Sequence, residues 1–170
     1  GPMLRNALLS DRGVNEFLDT NMHAYNTQEL DFDRMPIPFR CVAADLNTLK
    51  SVTFARGPLP QAIRASISLP GLFPPVQDKD GHYLVDGGIL DNLPTDAVRR
   101  DLPAGIVIAV YLQSGTISPA DTSSIVGVLN RAFSAGIERN VAQARQLADL
   151  VITVPLDKFS GTDYDKAGQL

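Results

Sequence analysis

An aspartate followed by two glycines, Asp86-Gly87-Gly88, comes directly after a short run, Tyr83-Leu84-Val85, that predicts a β-strand. A carboxylate at the carboxyl end of a strand lies where open α/β sheets place ligands and catalytic groups. Glycines beside it carry no Cβ, so a backbone segment or a nucleophile can approach the carboxylate closely. The same tripeptide also fits an ordinary turn, in which the aspartate accepts a backbone hydrogen bond and a glycine adopts a positive φ. The tripeptide by itself leaves both interpretations open.

Longer motifs lie on either side of the tripeptide. Upstream are Val42-Ala43-Ala44-Asp45-Leu46 and ASISLPGLFPPV, residues 65–76. Downstream, residues 86–94 have the pattern D-G-G-x-x-x-N-x-P. Together they resemble the patatin-like phospholipase family, which has a similar strand motif, a similar helix and loop motif, a short hairpin and then the D-G-G pattern. The motifs occur in the family's order and at its spacing between residues 36 and 112, and looser similarity extends over the rest.

The resemblance implies an acyl hydrolase that uses a serine–aspartate dyad. In that family a serine within G-x-S-x-G attacks an ester carbonyl, the D-G-G aspartate takes its proton, and backbone N–H groups of a glycine-rich loop bind the oxyanion. Carried over to this sequence, Asp86 is the base, Gly87 and Gly88 shape its approach, and Asn92 and Pro94 hold the loop and begin the next helix. Burial would raise the pKa of the aspartate from about 4 and make it a better base. No cofactor and no metal are implied.

The sequence contains no G-x-S-x-G motif and no glycine-rich oxyanion loop, both of which precede the matched segment in the family. We therefore expect residues 4–170 to be the C-terminal portion of a patatin-like domain, an incomplete three-layer α/β sandwich with a largely parallel sheet. Gly1-Pro2-Met3 has the composition of a protease-cleavage remnant.

The expected function follows from that placement. The parent protein is expected to be a lipid acyl hydrolase of the phospholipase A or lysophospholipase type, and this chain alone is expected to be inactive. The alternative is a non-catalytic α/β module derived from the same fold, which binds a ligand or works only with a partner chain.

Other nucleophiles and bases give alternative arrangements. His82 and Asp86 lie on the same face of the predicted strand, so a Ser–His–Asp triad with Ser66 or Ser68 is a second hypothesis. Ser134, within A-F-S-A-G, lies inside a long helical pattern, whereas a nucleophile elbow needs a sharp strand-to-helix turn. The acidic turn at residues 78–81 is similar to part of a calcium-binding loop. With Gly81 at the sixth position of such a loop, the first and twelfth positions are Val76 and Gly87, which cannot supply the acidic ligands, so a turn is expected instead.

Composition excludes several classes of protein. The 170 residues are 44% hydrophobic and carry a net charge of −4, which predicts one folded domain rather than a disordered chain. The longest apolar run, Ile106 to Leu112, is far shorter than the roughly 20 residues of a membrane-spanning helix. The acidic balance argues against a nucleic-acid partner, and the single cysteine, Cys41, excludes an internal disulfide. No feature of the sequence indicates a cellular compartment.

Strands and helices alternate along the chain. The predicted strands are Phe39–Ala44, Val52–Phe54, Tyr83–Val85, Ile106–Leu112 and Val151–Val154. The predicted helices cover residues 4–9, 14–22, 60–67, 94–100 and 122–147, and one more begins at Asp163. Ile106–Leu112 is continuously apolar, as expected for a strand covered on both faces.

The expected partners follow from the missing half. Besides a lipid or acyl-ester substrate, we expect either the N-terminal half of the same domain or a second copy of this chain, because the sheet lacks neighbouring strands and exposes apolar surface.

Overall fold

The computed structural model describes residue 7 and residues 9–103, 105–113 and 125–156. The helices are α1 (Arg12–Asn21), α2 (Leu59–Ser66), α3 (Gly88–Asp91), α4 (Thr95–Asp101) and α5 (Ile125–Ala144). The strands are β1 (Cys41–Asp45), β2 (Lys50–Phe54), β3 (Val76–Gln77), β4 (Tyr83–Asp86), β5 (Ile108–Gln113) and β6 (Leu150–Pro155). Short 3-10 turns lie at His23–Tyr25, Phe32–Arg34 and Arg145–Leu147.

A four-stranded sheet with the order β2-β1-β4-β3 carries the aspartate of the D-G-G motif. Each neighbouring pair in it is antiparallel, and Ala43 of β1 lies opposite Asp86 of β4. On the face shared by these two residues, Ala65 of α2 packs against Ala43 and Leu84. Helix α2 therefore covers the face of the sheet that carries the Asp86 side chain.

A second, two-stranded sheet pairs β5 with β6 in parallel, with Val110 opposite Ile152. Helix α5 connects the two strands, as a parallel connection requires, and Val141 of α5 packs with Ala109 and Tyr111 on one face of β5. This unit confirms the α/β class and the parallel pairing predicted from the sequence. The sequence pattern did not reveal that the β1–β4 sheet is antiparallel, because strand direction depends on connections that a run of apolar residues does not encode.

The outer face of β5 differs from the prediction. The continuous apolar run was expected to be covered on both faces, but Ile108, Val110 and Leu112 are each more than half exposed. Exposed and buried residues alternate along the strand because only the face that carries Ala109 and Tyr111 meets α5. Within the described residues, β5 is thus buried on one face only.

Most predicted elements are present, with ends displaced by one to three residues. The helix α3 was not predicted, since two glycines at its beginning disfavour helix formation. The hairpin implied by the family resemblance is present as β3 and β4. The predicted helix beginning at Asp163 lies outside the described residues, as does most of the helical pattern at residues 4–9.

Candidate active site

Asp86 occupies the last position of β4. A residue of the loop that follows α2 holds its backbone through a hydrogen bond. Its N–H donates to the carbonyl oxygen of Ser68 at 2.9 Å. Ser68 is fully buried, and its hydroxyl donates to the carbonyl oxygen of Arg64 at 2.8 Å and contacts the Arg64 guanidinium. That guanidinium binds the Asp11 carboxylate at 3.0 Å and the Pro74 carbonyl oxygen at 3.2 Å. The position of the Asp86 backbone is therefore set by a buried network.

The two glycines after Asp86 are required by close approach. A Cβ on Gly87 would lie 2.6 Å from the carbonyl carbon of Val42 and closer still to its oxygen, so this turn presses directly on β1. A Cβ on Gly88 would lie 2.9 Å from Asn92 Oδ1 and 3.1 Å from Asp86 Oδ1. Neither glycine has a positive φ. The β1 backbone thus approaches Gly87 closely, as one interpretation of the sequence expects. Of the ordinary turn, the backbone hydrogen bond to Asp86 is present but the positive φ is not.

The Asp86 carboxylate is half-buried, and its environment favours the protonated form. Burial raises the pKa of Asp86 above its ordinary value, and the hydrogen bond from the Gly88 N–H to Oδ1, 2.8 Å long, opposes that rise. A carboxylate with a raised pKa binds a proton more strongly, which improves it as a general base provided that it is ionised at the working pH.

Asn92 and Pro94 lie where the motif predicts, at the end of the turn and before the next helix. The backbone N–H of Asn92 donates to Oδ1 of Asn140 on α5 at 3.2 Å. Leu93, which lies between Asn92 and Pro94 in the sequence, is buried in the core that β5 and α5 share. Pro94 directly precedes α4. Sequence reasoning missed Asn140, because it occupies an ordinary polar position within a long helical pattern and nothing local marks its contact.

The structure does not assemble the Ser–His–Asp alternative. His82 Nδ1 lies 2.9 Å from Oδ2 of Asp45, and Asp45 lies at the opposite end of the β1–β4 pairing from Asp86. Burial alone would raise the pKa of Asp45, but hydrogen bonds from the Thr48 hydroxyl, from backbone N–H groups and from His82 lower it to about 2. The imidazole therefore pairs with an ionised structural carboxylate. Ser68, with its hydroxyl held by Arg64, is not available as the nucleophile.

A further carboxyl group of the loop, at Asp91, was not singled out in the sequence. Burial and the neighbouring Asp96 raise the pKa of Asp91 to about 6, while Arg100 partly opposes the rise. Asp91 lies at the end of α3, and Asp96 lies in the first turn of α4. Asp86 and Asp91 thus both have raised pKa values, and an experiment must distinguish the effects of the two carboxyl groups.

Other binding chemistry is sparse in the part of the chain that the structure describes. There, no group of three or more His, Cys, Asp or Glu side chains could hold a metal ion. Burial raises the pKa of the Cys41 thiol to about 12, so the thiol stays protonated and packs as a small apolar group. No described helix is both long enough and apolar enough to cross a membrane.

Two cavities, of about 430 and 540 Å³, lie on the described surface. The first lies beside α2 and is lined by Phe54, Leu84 and Arg56, among others. The second is lined by residues of the segment before β1 and by Arg56. Asp86 lines neither cavity, so neither is the cleft in which its carboxylate would meet a substrate.

Comparison with known proteins places the chain in the family that its motifs resemble. The chain is 42% identical over 121 residues to an uncharacterised NTE family protein of Mycobacterium tuberculosis, an alignment that covers 69% of this chain and 33% of the relative. It is 41% identical over 79 residues to patatin-like phospholipase domain-containing protein 7 of Rattus norvegicus, covering 46% of this chain and 6% of that protein. The chain thus spans a third or less of the length of these relatives. Residues 1–99 match the family model described as patatin-like phospholipase, and the chain belongs to that family.

Proposed function

We propose that Asp86 is the general base of a serine–aspartate dyad in a lipid acyl hydrolase of the phospholipase A or lysophospholipase type. Membership of the patatin-like phospholipase family supports lipid hydrolysis in general. The observation that carries the specific role is the surroundings of the carboxylate. Asp86 is half-buried at the end of a strand, the Gly88 N–H orients its Oδ1, and no side chain of Gly87 or Gly88 obstructs it.

The proposed reaction has two steps, each of which uses the same carboxylate. In the first, Asp86 takes the hydroxyl proton as a serine oxygen bonds to the ester carbonyl carbon. The tetrahedral intermediate then breaks its bond to the leaving alcohol, which receives that proton, and an acyl-enzyme remains. In the second step Asp86 takes a proton from water as the water oxygen attacks the acyl carbon. The serine leaves with that proton, and the fatty acid is released.

The nucleophile and the oxyanion-binding N–H groups belong, in this proposal, to residues outside the present chain. The sequence lacks G-x-S-x-G, and the chain spans only a third of the mycobacterial relative. The exposed apolar face of β5 and β6 supports the same conclusion, because Ile108, Val110 and Ile152 lie uncovered side by side. We propose that the remainder of the same patatin-like domain covers this face.

A non-catalytic module is the second candidate, and the missing G-x-S-x-G motif favours it. Labelling with a fluorophosphonate, which reacts with activated serines, separates the two. The chain alone should neither be labelled nor hydrolyse short-chain aryl esters above the rate in buffer. A longer protein that includes the residues preceding this chain should be labelled and should hydrolyse both aryl esters and phospholipid vesicles. Absence of labelling and turnover in the longer protein would favour the module.

A further inference from the structure

Asn140 of α5 contacts the turn after Asp86 through three backbone groups. Its Oδ1 accepts the N–H of Asn92 at 3.2 Å, and its Nδ2 donates to the carbonyl oxygens of Gly88 at 3.3 Å and Ile89 at 3.5 Å. The orientation of the amide follows from its partners, because an N–H can only donate and a carbonyl oxygen can only accept. One side chain therefore ties the beginning and the end of α3 to α5.

The neighbouring residues of α5 hold the same segment, so Asn140 has a fixed place relative to the turn. Leu93 packs against Val141 in the buried core. The Thr95 hydroxyl donates to the carbonyl oxygen of Ala144 at 2.6 Å. Residues 140, 141 and 144 lie on one face of the helix, since positions three and four apart are neighbours there. This face of α5 is the support on which the segment from α3 to α4 rests.

Gly88 links Asn140 to the carboxylate. Its carbonyl oxygen accepts from Asn140, and its N–H donates to Asp86 Oδ1 at 2.8 Å. We infer that Asn140 is a positioning residue, which fixes the Gly88 backbone and through it the direction of the Asp86 carboxylate. The inference rests on the proposed role of Asp86 as the base. It predicts that a side chain on α5, 54 positions along the chain, affects the rate of the chemical step without touching the substrate.

Two substitutions in the longer protein test this role. Asn140→Ala removes all three contacts, whereas Asn140→Asp keeps an acceptor for the Asn92 N–H but sets an oxygen against the two carbonyl groups. We expect each to lower kcat on the order of 10- to 100-fold per folded molecule, with KM within about twofold because substrate contacts are unchanged. Gln143→Ala, at an exposed position of the same helix, is the matched control and should leave both constants unchanged.

Hydrogen exchange of the Gly88 amide gives a readout that does not depend on turnover. It should be faster in Asn140→Ala than in the wild type or in Gln143→Ala. Unchanged kcat and unchanged Gly88 exchange would overturn the inference, and so would a loss of activity that disappears on correction for the folded fraction. An Asp86→Asn variant that keeps its turnover would refute the proposed base, while the Gly88 exchange rate would still report whether Asn140 holds the turn.

Discussion

The two glycines after Asp86 should respond differently to alanine, although they are neighbours: Gly87→Ala should lower stability, and Gly88→Ala should lower turnover. At Gly87 the added methyl group meets the backbone of β1, with the Val42 carbonyl carbon at 2.6 Å and the Ala43 nitrogen at 3.1 Å, where ordinary contact begins at 3.4 Å. Backbone inside a sheet cannot shift independently, so we expect Gly87→Ala to lower the free energy of unfolding by about 2–3 kcal/mol or more. The φ of −68° suits alanine, so the loss comes from the contact and not from the backbone conformation.

At Gly88 the added methyl group meets only the ends of two side chains, Asn92 Oδ1 at 2.9 Å and Asp86 Oδ1 at 3.1 Å. Those ends can move by a few tenths of an ångström, and alanine in a helical position contributes about 0.5–1 kcal/mol relative to glycine. We therefore expect Gly88→Ala to leave the stability within about 1 kcal/mol of wild type. Its kcat in the longer protein should fall on the order of 10- to 100-fold, because the carboxylate is displaced.

Gly136→Ala in α5 is the matched control, since nothing lies within 4 Å of its added Cβ. It should raise stability by about 0.5–1 kcal/mol. Urea unfolding followed by circular dichroism, at one fixed protein concentration, measures all three variants. A wild-type urea midpoint for Gly87→Ala would refute the close approach of the turn to β1. Wild-type turnover in Gly88→Ala would refute the placement of the carboxylate.

Three further predictions concern the packing, the charge and the exposed face. Leu93→Ala should lower the free energy of unfolding by about 2–5 kcal/mol, because Leu93 is buried between β5 and α5, and equal urea midpoints would contradict this. Asp91, whose pKa is raised to about 6, destabilises the fold when ionised, so stability should rise as the pH falls from 7 toward 4. Asp91→Asn should reduce that rise to the part contributed by Asp86, whose pKa is also raised, and should add about 1 kcal/mol at pH 7 after allowance for solvent screening. Thermal unfolding at several pH values measures both effects. The isolated chain should self-associate through the exposed apolar face of β5 that includes Val110, and Val110→Lys should weaken this association. Light scattering measures the mass; a concentration-independent value near 18.3 kDa for the wild type would contradict self-association.

Local patterns predicted the strands and helices well, because apolar runs and turn residues record burial along the chain. The run at β5 is an example: its position was right, but its pattern could not show that one face would lie uncovered among the described residues. The two glycines after Asp86 indicated that another segment approaches closely, but not that this segment is the backbone of β1 at Gly87.

Contacts between distant segments were beyond the reach of those patterns. The pairing of His82 with Asp45 depends on the register between β1 and β4, which no local sequence feature specifies. The contact of Asn140 with the Gly88 carbonyl depends in the same way on how α5 packs against α3. These interactions are determined by which segments pack together in the fold, and the residue type alone does not specify them.

The rate of ester hydrolysis by Asp86→Asn in the longer protein, measured from pH 4 to 8, tests the role of the base most directly. Asparagine keeps the shape of the side chain but cannot take a proton, so turnover should fall by about 10²- to 10⁴-fold with unchanged circular dichroism. In the wild type the activity should decrease as the pH falls through the raised pKa of Asp86, above the range where an exposed aspartate titrates. His82→Ala and Asp91→Asn should keep substantial turnover. If Asp86→Asn instead retains wild-type turnover, or if His82→Ala is the variant that abolishes it, Asp86 is not the base.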